Sequence, residues 1–564
     1  MKNIVSNLFF LLALTAANAT NYTVVNTNDS GPGSLRWAII QANAGPSSDI
    51  INFNIPGAGP HEINLQSPLP IVNFEVDIYG YSQPGSFPAG GANPAGIKIA
   101  LNGTALGTGT SGLNMTGNSC YINGLAIYGF ETGIMIGGNN NTVEGCHIGL
   151  DATGMNPSGN ASDGVIITGQ QNTIGGAGAS ARNVIAGHSG SIAVFPYATA
   201  NRIEGNYIGT DATGNAVISS NGLDGIAVSS DNNTIENNVI VGYGSNNILI
   251  TLWNADSPFP EGNIIQGNRV GHHANGSFSS FANNCQGVSL NNARNNIITE
   301  NTIFGNGCHG VLIDGNAATG NLISDNSIYG NIGIAINLGL DWVTPNDAGD
   351  ADTGPNGLQN FPVLESAEAN FAQTKVKGYL DSPNPATARI EFYTTPTAHP
   401  TGHGDGKTLI GIVSPKSNGK IKAKLPPVPP GTYLSAIAID SENNTSEFSL
   451  SIAITSPGGG SGRPSLGDQQ VVASGKGHAE VLEASVFPNP FSGEATIAYY
   501  LPEGQPVKLS ISHSNGQFVR VLQDGFQTAG SQLVRFNARR LPSGVYLYQL
   551  IAGEEVRTGK MVLK

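Results

Sequence analysis

EGCHIGLDATGMN at residues 144–156 returns almost unchanged as EGNYIGTDATGN at residues 204–215. Neither copy carries a helical spacing of apolar residues; each is a short apolar stretch running into turn formers. A repeated stretch implies a repeated structural unit. Working outward from it, Asn-x-(Ile/Val) recurs at Asn141, Asn172, Asn201, Asn233, Asn263, Asn296 and Asn321, at steps of 31, 29, 32, 30, 33 and 25 residues. A second strand follows each time, beginning at Asn206, Asn238, Asn268, Asn301 and Asn326, and a third opens near a glycine, as in DGVIITG at Asp163, DGIAVSS at Asp224, QGVSLNN at Gln286 and HGVLIDG at His309.

Three short strands per period predict a solenoid whose coils bury their apolar sides only against one another. Alternation then aims the side chains. In the second strand Ile148, Ile185, Ile208, Ile240, Val270, Ile303 and Ile328 are expected to stack inward, while His147, Tyr207, Arg269 and Thr302 face out, the first three as candidate substrate-binding positions. The asparagines before that strand are expected to bond to backbone and to one another. The two DATG loops, with Asp151 and Asp211, should leave the same corner two coils apart.

Composition agrees. Charged residues make up 11% of the 564, which leaves too little Glu, Lys and Arg to cover long helices, and 76 glycines favour turns, so the chain reads as all-β. A net charge of −14 without a basic stripe excludes a nucleic-acid partner. Lys2, the apolar run LFFLLAL and Ala17-Asn18-Ala19 predict a cleaved signal peptide over 1–19, and no later segment could span a bilayer.

Coils of this length with N-x-I, N-x-I-x-G and G-(V/I)-x-(V/I) resemble the right-handed parallel β-helix proteins of the pectate-lyase-like superfamily. VVNTNDSGPGSLRWAIIQANA (24–44) resembles the start of many secreted members, where a short helix caps the column; Ser34 is its expected N-cap. The resemblance implies a column with its cap over 20–345.

NDAGDADTGPNGLQNFPVL (346–364) forms an acidic connecting loop. Asp347, Asp350, Asp352 and Asn356 crowd oxygen ligands around a tight turn, as a calcium loop does, although Phe361 stands where an EF-hand has glutamate. Alternating strands over 365–455 predict an immunoglobulin-like β-sandwich, in which GHGDGK (402–407) reads as a hairpin turn. A flexible linker (456–485) follows. The segment 486–564, with Pro488-Asn489-Pro490, NGQFVRVL, LPSGVYLY and a basic last strand bearing Lys560 and Lys564, is similar to the C-terminal sorting domain of type IX secretion cargo. That resemblance implies the type IX machinery as a partner, and a secreted or surface-attached protein of a Gram-negative bacterium.

Relatives that cleave polysaccharides work on one exposed parallel sheet. Lyases need acids, often with calcium, and an Arg or Lys base; hydrolases need two carboxyls about 5–9.5 Å apart. Asp163 and Asp224 share a ladder two coils apart, roughly 9.6 Å between Cα atoms at ~4.8 Å per coil, which makes them the candidate catalytic pair, although Asp-Gly also opens turns and both fit that role. Gln286 and His309 continue that ladder as candidate substrate contacts. Arg182, Arg202, Arg269 and Arg294 look scattered rather than clustered beside carboxylates, so no lyase base is assigned. Cys285 and Cys308 stack on adjacent coils, as a disulfide or as an inward thiol pair. Two functions follow: a non-catalytic surface protein that binds glycans or neighbouring surfaces, or a polysaccharide lyase or glycoside hydrolase acting along the same groove.

Overall fold

The structure, a computed structural model, describes residues 19–45, 48–218, 222–277, 286–457, 483–487 and, from 491 on, all but 492, 502–503, 514–517, 528–529, 539–540 and 554. The signal segment, most of the linker, Cys285 and the PNP turn lie outside these residues. Two compact units divide the chain, the first holding the column and the adjoining sandwich, the second the C-terminal strands.

In the first unit each coil gives one strand to each of three parallel sheets, of eleven, ten and nine strands among the described residues. Thr142–Glu144, Thr173–Gly175 and Arg202–Glu204 lie side by side in the first sheet, His147–Ile148, Val184–Ile185 and Tyr207–Ile208 in the second, Asp163–Ile167, Gly190–Val194 and Asp224–Val228 in the third. This is a parallel β-helix. The expected aliphatic stack is its core: Ile148, Ile185, Ile208, Ile240, Val270, Ile303 and Ile328 are all buried.

Two asparagine columns fix the register. At the corner entering the second sheet, the backbone N–H and Nδ2 of Asn206, Asn238, Asn268 and Asn301 each donate to Oδ1 of the asparagine one coil on. The same arrangement links Asn141 through Asn321 at the corner entering the first sheet. A buried amide satisfies both its own groups and the turn backbone, so a slip of one residue would strand several donors at once.

Helix α1 (Leu35–Ala42) closes the upstream end. Ser34 Oγ accepts from Trp37 N at 3.2 Å, and Leu35, Ala38, Ile39 and Ala42 complete the first coils' core. The downstream end is closed by the sandwich. Its sheets are Val363–Ala369, Thr374–Tyr379 and Lys420–Leu425 against Thr408–Val413, Arg389–Thr395, Tyr433–Ile439 and Ile452–Ala453. Tyr393, Ile437, Ile439 and Phe448 enter the column's core. Polar groups of the sandwich take up the open edge: Ile323 N donates to Thr445 Oγ1 at 2.8 Å, Asp325 N to Glu391 at 3.2 Å and Leu338 N to Glu447 at 3.0 Å. The GHGDGK stretch is no simple hairpin turn, because Gly406 exchanges backbone hydrogen bonds of 2.8 Å with Ile328 and Asp405 accepts from Gly330 N at 3.0 Å. An exposed strand edge invites pairing with other chains, and this one is sealed.

The second unit is a small sandwich of Glu483–Phe487, Glu494–Leu501 and Gly530–Asn537 with Phe518–Gln527, Gln505–His513, Gly544–Ala552 and Glu555–Leu563. Ile497, Leu509, Ile511, Phe536, Leu550 and Met561 fill it.

Candidate functional site

The column offers three outward faces, and loops of the chain cover part of one. Over the second sheet lie the DATG loops. Asp151 Oδ1 accepts from Thr153 N and Oγ1 at 3.1 and 2.6 Å, and Asp211 Oδ1 from Thr213 Oγ1 at 2.8 Å, so both aspartates hold their own turns. The loops stack two coils apart as expected: Ala212 N donates to Gly154 O, and Ala274 N to Gly214 O, both at 2.9 Å. The second of these bonds joins a third, degenerate copy, GHHANG at 271–276, to the pile.

This cover corrects the outward assignments. His147 points away from the core but is 1% exposed beneath its own loop, and burial pushes its pKa down to about 4. Tyr207 is half-buried under Gly214 with the Arg182 guanidinium 4.1 Å from its ring centre, and Arg269 donates to the Ala274 carbonyl. None of the three lines an open groove. Alternation gives the direction of a side chain and says nothing of a loop that folds back over it.

The first sheet carries the groups that sequence reading missed. Arg202 Nε lies 2.8 Å from Glu204 and its Nη2 2.8 Å from Glu236 on the next coil, an arginine–acid cluster where scattered arginines were expected. Arg294 likewise pairs with Glu261 at 3.1 Å. Tyr121 OH donates to Glu144, and Tyr79 OH to Asp77 at 3.0 Å. Burial raises the Asp77 carboxyl, and it raises Glu236 against the pull of Arg202. The missing signal was present: Arg202 and Glu204 stand one and three residues after Asn201, as Thr234 and Glu236 do after Asn233.

The third sheet is open. Its outward row runs Asn114, Met135, Ile166, Ala193, Ala227, Leu249, Ser289, Leu312, Asn337, nine coils in register. From Asn114 to Leu249 the row is partly exposed, about 24 Å at ~4.8 Å per coil, while Ser289, Leu312 and Asn337 at its downstream end are buried. Along its upstream margin stand Asp163, Gly190, Asp224, Asn246 and Gln286, the ladder read from sequence. Ser162 Oγ donates to Asp163 at 2.8 Å and Asn246 Nδ2 to Asp224 at 2.8 Å, and burial raises both carboxyls. A cleft of about 690 Å³, lined by Phe130, Ser158, Asn160, His188, Ser189 and small residues, follows the adjoining corner. Gln286 Oε1 accepts from His309 N at 2.9 Å, while the His309 ring is edge-on to Trp342 at 5.4 Å and contacts Asn337.

In the connecting loop, carboxylate oxygens of Asp347, Asp350 and Asp352 lie within 4.8 Å of one another. Burial, then Asp347 and Asp350, raise Asp352 to about 6. Asn356 does not join them. It is the last rung of the first asparagine column, its Oδ1 taking Asn321 N at 3.0 Å and its Nδ2 donating to Asn321 O and Thr445 O.

Coils, ladders and cap together define a parallel β-helix protein. Among solved structures the chain is similar to the A-module of mannuronan C-5 epimerase AlgE6 of Azotobacter vinelandii, 17% identical over 58% of this chain and 84% of that one, with a TM-score of 0.38. The AlgE4 A-module from the same organism is 13% identical over 58% and 100%, with a TM-score of 0.31, and an alginate lyase, AlyF-OU02, is 11% identical over 60% and 63%, with a TM-score of 0.23. Likenesses this slight say nothing of activity. No curated protein matches the chain significantly. Residues 485–564 match the family described as "Secretion system C-terminal sorting domain". This segment is a type IX sorting domain; it marks a secreted or cell-surface protein and implies the secretion machinery as a partner. No helix among the described residues is long and apolar enough to cross a membrane.

Proposed function

We propose that this is an exported protein of a Gram-negative bacterium, its 1–19 segment a cleaved signal peptide, whose third sheet binds an extended glycan without cleaving it. One observation carries the reading: the third-sheet row is aliphatic and partly exposed from Met135 to Leu249, while loops cover part of the second sheet and the first carries an arginine–acid cluster. A flat surface of this length suits a polymer better than a small ligand. The middle of the row supplies aliphatic side chains, which neither take nor give a proton.

Asp163 and Asp224 favour a second reading, hydrolysis. Both carboxyls are raised by burial, as a general acid requires, and their two-coil spacing is at the outer limit for an inverting pair. The two readings part in one assay. The mature chain should retard soluble polysaccharides in affinity electrophoresis while releasing neither reducing ends nor unsaturated products. Reducing ends that disappear in Asp163→Ala or Asp224→Ala would replace binding with hydrolysis.

We also propose that Asp347, Asp350 and Asp352 hold a calcium ion, which would relieve the mutual repulsion of three half-buried carboxylates. Saturating calcium is expected to raise the melting temperature of the first unit by about 2–5 °C, and Asp350→Asn to abolish the rise. A melting curve indifferent to calcium would refute the site.

A further inference from the structure

The third sheet's downstream margin carries a group of aromatic side chains. Phe195 occupies the outward position after Ala193, and its ring lies 4.7 Å from that of Trp253, which follows the strand Asn246–Thr251 two coils on. Trp253 is 53% exposed and Tyr197, beside Phe195, 68%. Large rings left in water on a rigid scaffold are unfavourable unless something packs on them, and they lose little conformational entropy when it does.

The charges around this face are one-sided. Residues 99–345 contain fifteen Asp and Glu, four Arg and no Lys. None of the four arginines serves the third sheet: Arg202 projects from the first sheet to Glu204 and Glu236, and Arg269 from the second to Ala274 O. Arg182 lies over Tyr207, and Arg294, at the corner nearest the aromatic group, is tied to Glu261. The histidines of these coils add no cation at neutral pH, since burial lowers His147, His188, His272, His273 and His309. Asp163 and Asp224 line the opposite margin.

Granting that the third sheet binds a glycan, we propose that the glycan is one without carboxylates, a neutral or amino-sugar polymer, whose pyranose rings stack on Trp253, Phe195 and Tyr197. A pyranose presents a face of C–H bonds that packs on an aromatic ring, and the aliphatic row continues that contact along the column. A uronate polymer would bring a negative charge per residue to a surface with acids on one margin and no cation to answer them; such unanswered charge is how a binding site rejects a competitor. The same accounting leaves a lyase without its base.

Isothermal titration of the full mature chain tests this against laminarin, xylan, galactomannan and chitosan oligosaccharides on one side, and polygalacturonate and alginate on the other. At least one polymer of the first group should bind more than tenfold tighter than either uronate at low salt. Trp253→Ala should weaken it about tenfold or more, the size of an interface anchor, with unchanged circular dichroism, and Trp253→Phe should restore most of the affinity. Ala227→Lys, which puts a cation into the row, should gain uronate binding. A wild-type preference for polygalacturonate or alginate, or full affinity in Trp253→Ala, overturns the inference while glycan binding stands. Silence toward every polymer overturns the binding reading itself.

Discussion

Asn238→Ala will cost the β-helix about 4 kcal/mol, a large share of the marginal stability of a folded domain. Asn238 is fully buried. Its Oδ1 accepts from Asn206 N at 2.9 Å and Asn206 Nδ2 at 3.0 Å, and its Nδ2 donates to Ile203 O at 2.8 Å and Asn268 Oδ1 at 3.0 Å. Alanine leaves Asn206 N and one of the two N–H bonds of Asn206 Nδ2 without partners in a corner closed to water, each worth ~1–3 kcal/mol when stranded, and removes a hydrogen bond from the Ile203 carbonyl. Thr234, outward on the first sheet of the same coil, is the control: Thr234→Ala should stay within ~0.5 kcal/mol. Urea unfolding followed by circular dichroism measures both. If Asn238→Ala loses less than ~1 kcal/mol, water or a relaxed turn replaces the amide and the column does not set the register.

That ladder was legible because a repeat turns sequence spacing into spatial neighbourhood. Once the asparagines were aligned, the isoleucine core, the order Asp163, Gly190, Asp224, Asn246, Gln286 and the stacking of the DATG loops followed. The same rule, carried further, would have found two things that were missed. Asn356 stands 35 residues after Asn321, close to one more period, yet the pattern Asp350-x-Asp352-x-Gly354-x-Asn356 looks locally like a calcium loop. Arg202, Glu204 and Glu236 align at the outward positions of the first strand, one and three residues after Asn201 and three after Asn233. Two other features leave no periodic trace. The burial of His147 depends on a loop folding back over its own strand, and the sealing of the last coil depends on residues some hundred positions downstream. Spacing cannot report contacts between elements that do not share the repeat.

That seal is the source of the second large effect. Between pH 6.5 and 8 the stability of the first unit will fall by about 2 kcal/mol relative to that of the Glu447→Gln variant. Glu447 is 2% exposed, with Leu338 N and Thr344 N donating to its two oxygens at 3.0 and 3.1 Å. Burial, helped by Asp341, still lifts it from 4.5 to about 8. Over that interval the folded chain retains a proton that the unfolded chain has released, so stability is full below pH 4.5 and falls as pH rises toward 8. One proton corresponds to ~1.4 kcal/mol per pH unit, hence ~2 kcal/mol over the stated window. The buried histidines oppose the trend up to about a unit above their ordinary value of ~6.5. His403 beside Phe448, with His147, His188 and His309, is held under its ordinary value, so the unfolded chain takes up protons there and stability rises with pH. The histidines titrate alike in wild type and in Glu447→Gln, so the slope attributable to Glu447 is the difference between the two. Glutamine keeps one acceptor and cannot ionise; its baseline will drop, and its stability will rise from pH 6.5 to 8 as the unfolded chain's histidines lose their protons. Urea midpoints at the two pH values decide: equal slopes in wild type and variant would mean that Glu447 is already ionised at pH 6.5, and that its two N–H donors outweigh the burial of its charge in the sealed end of the column.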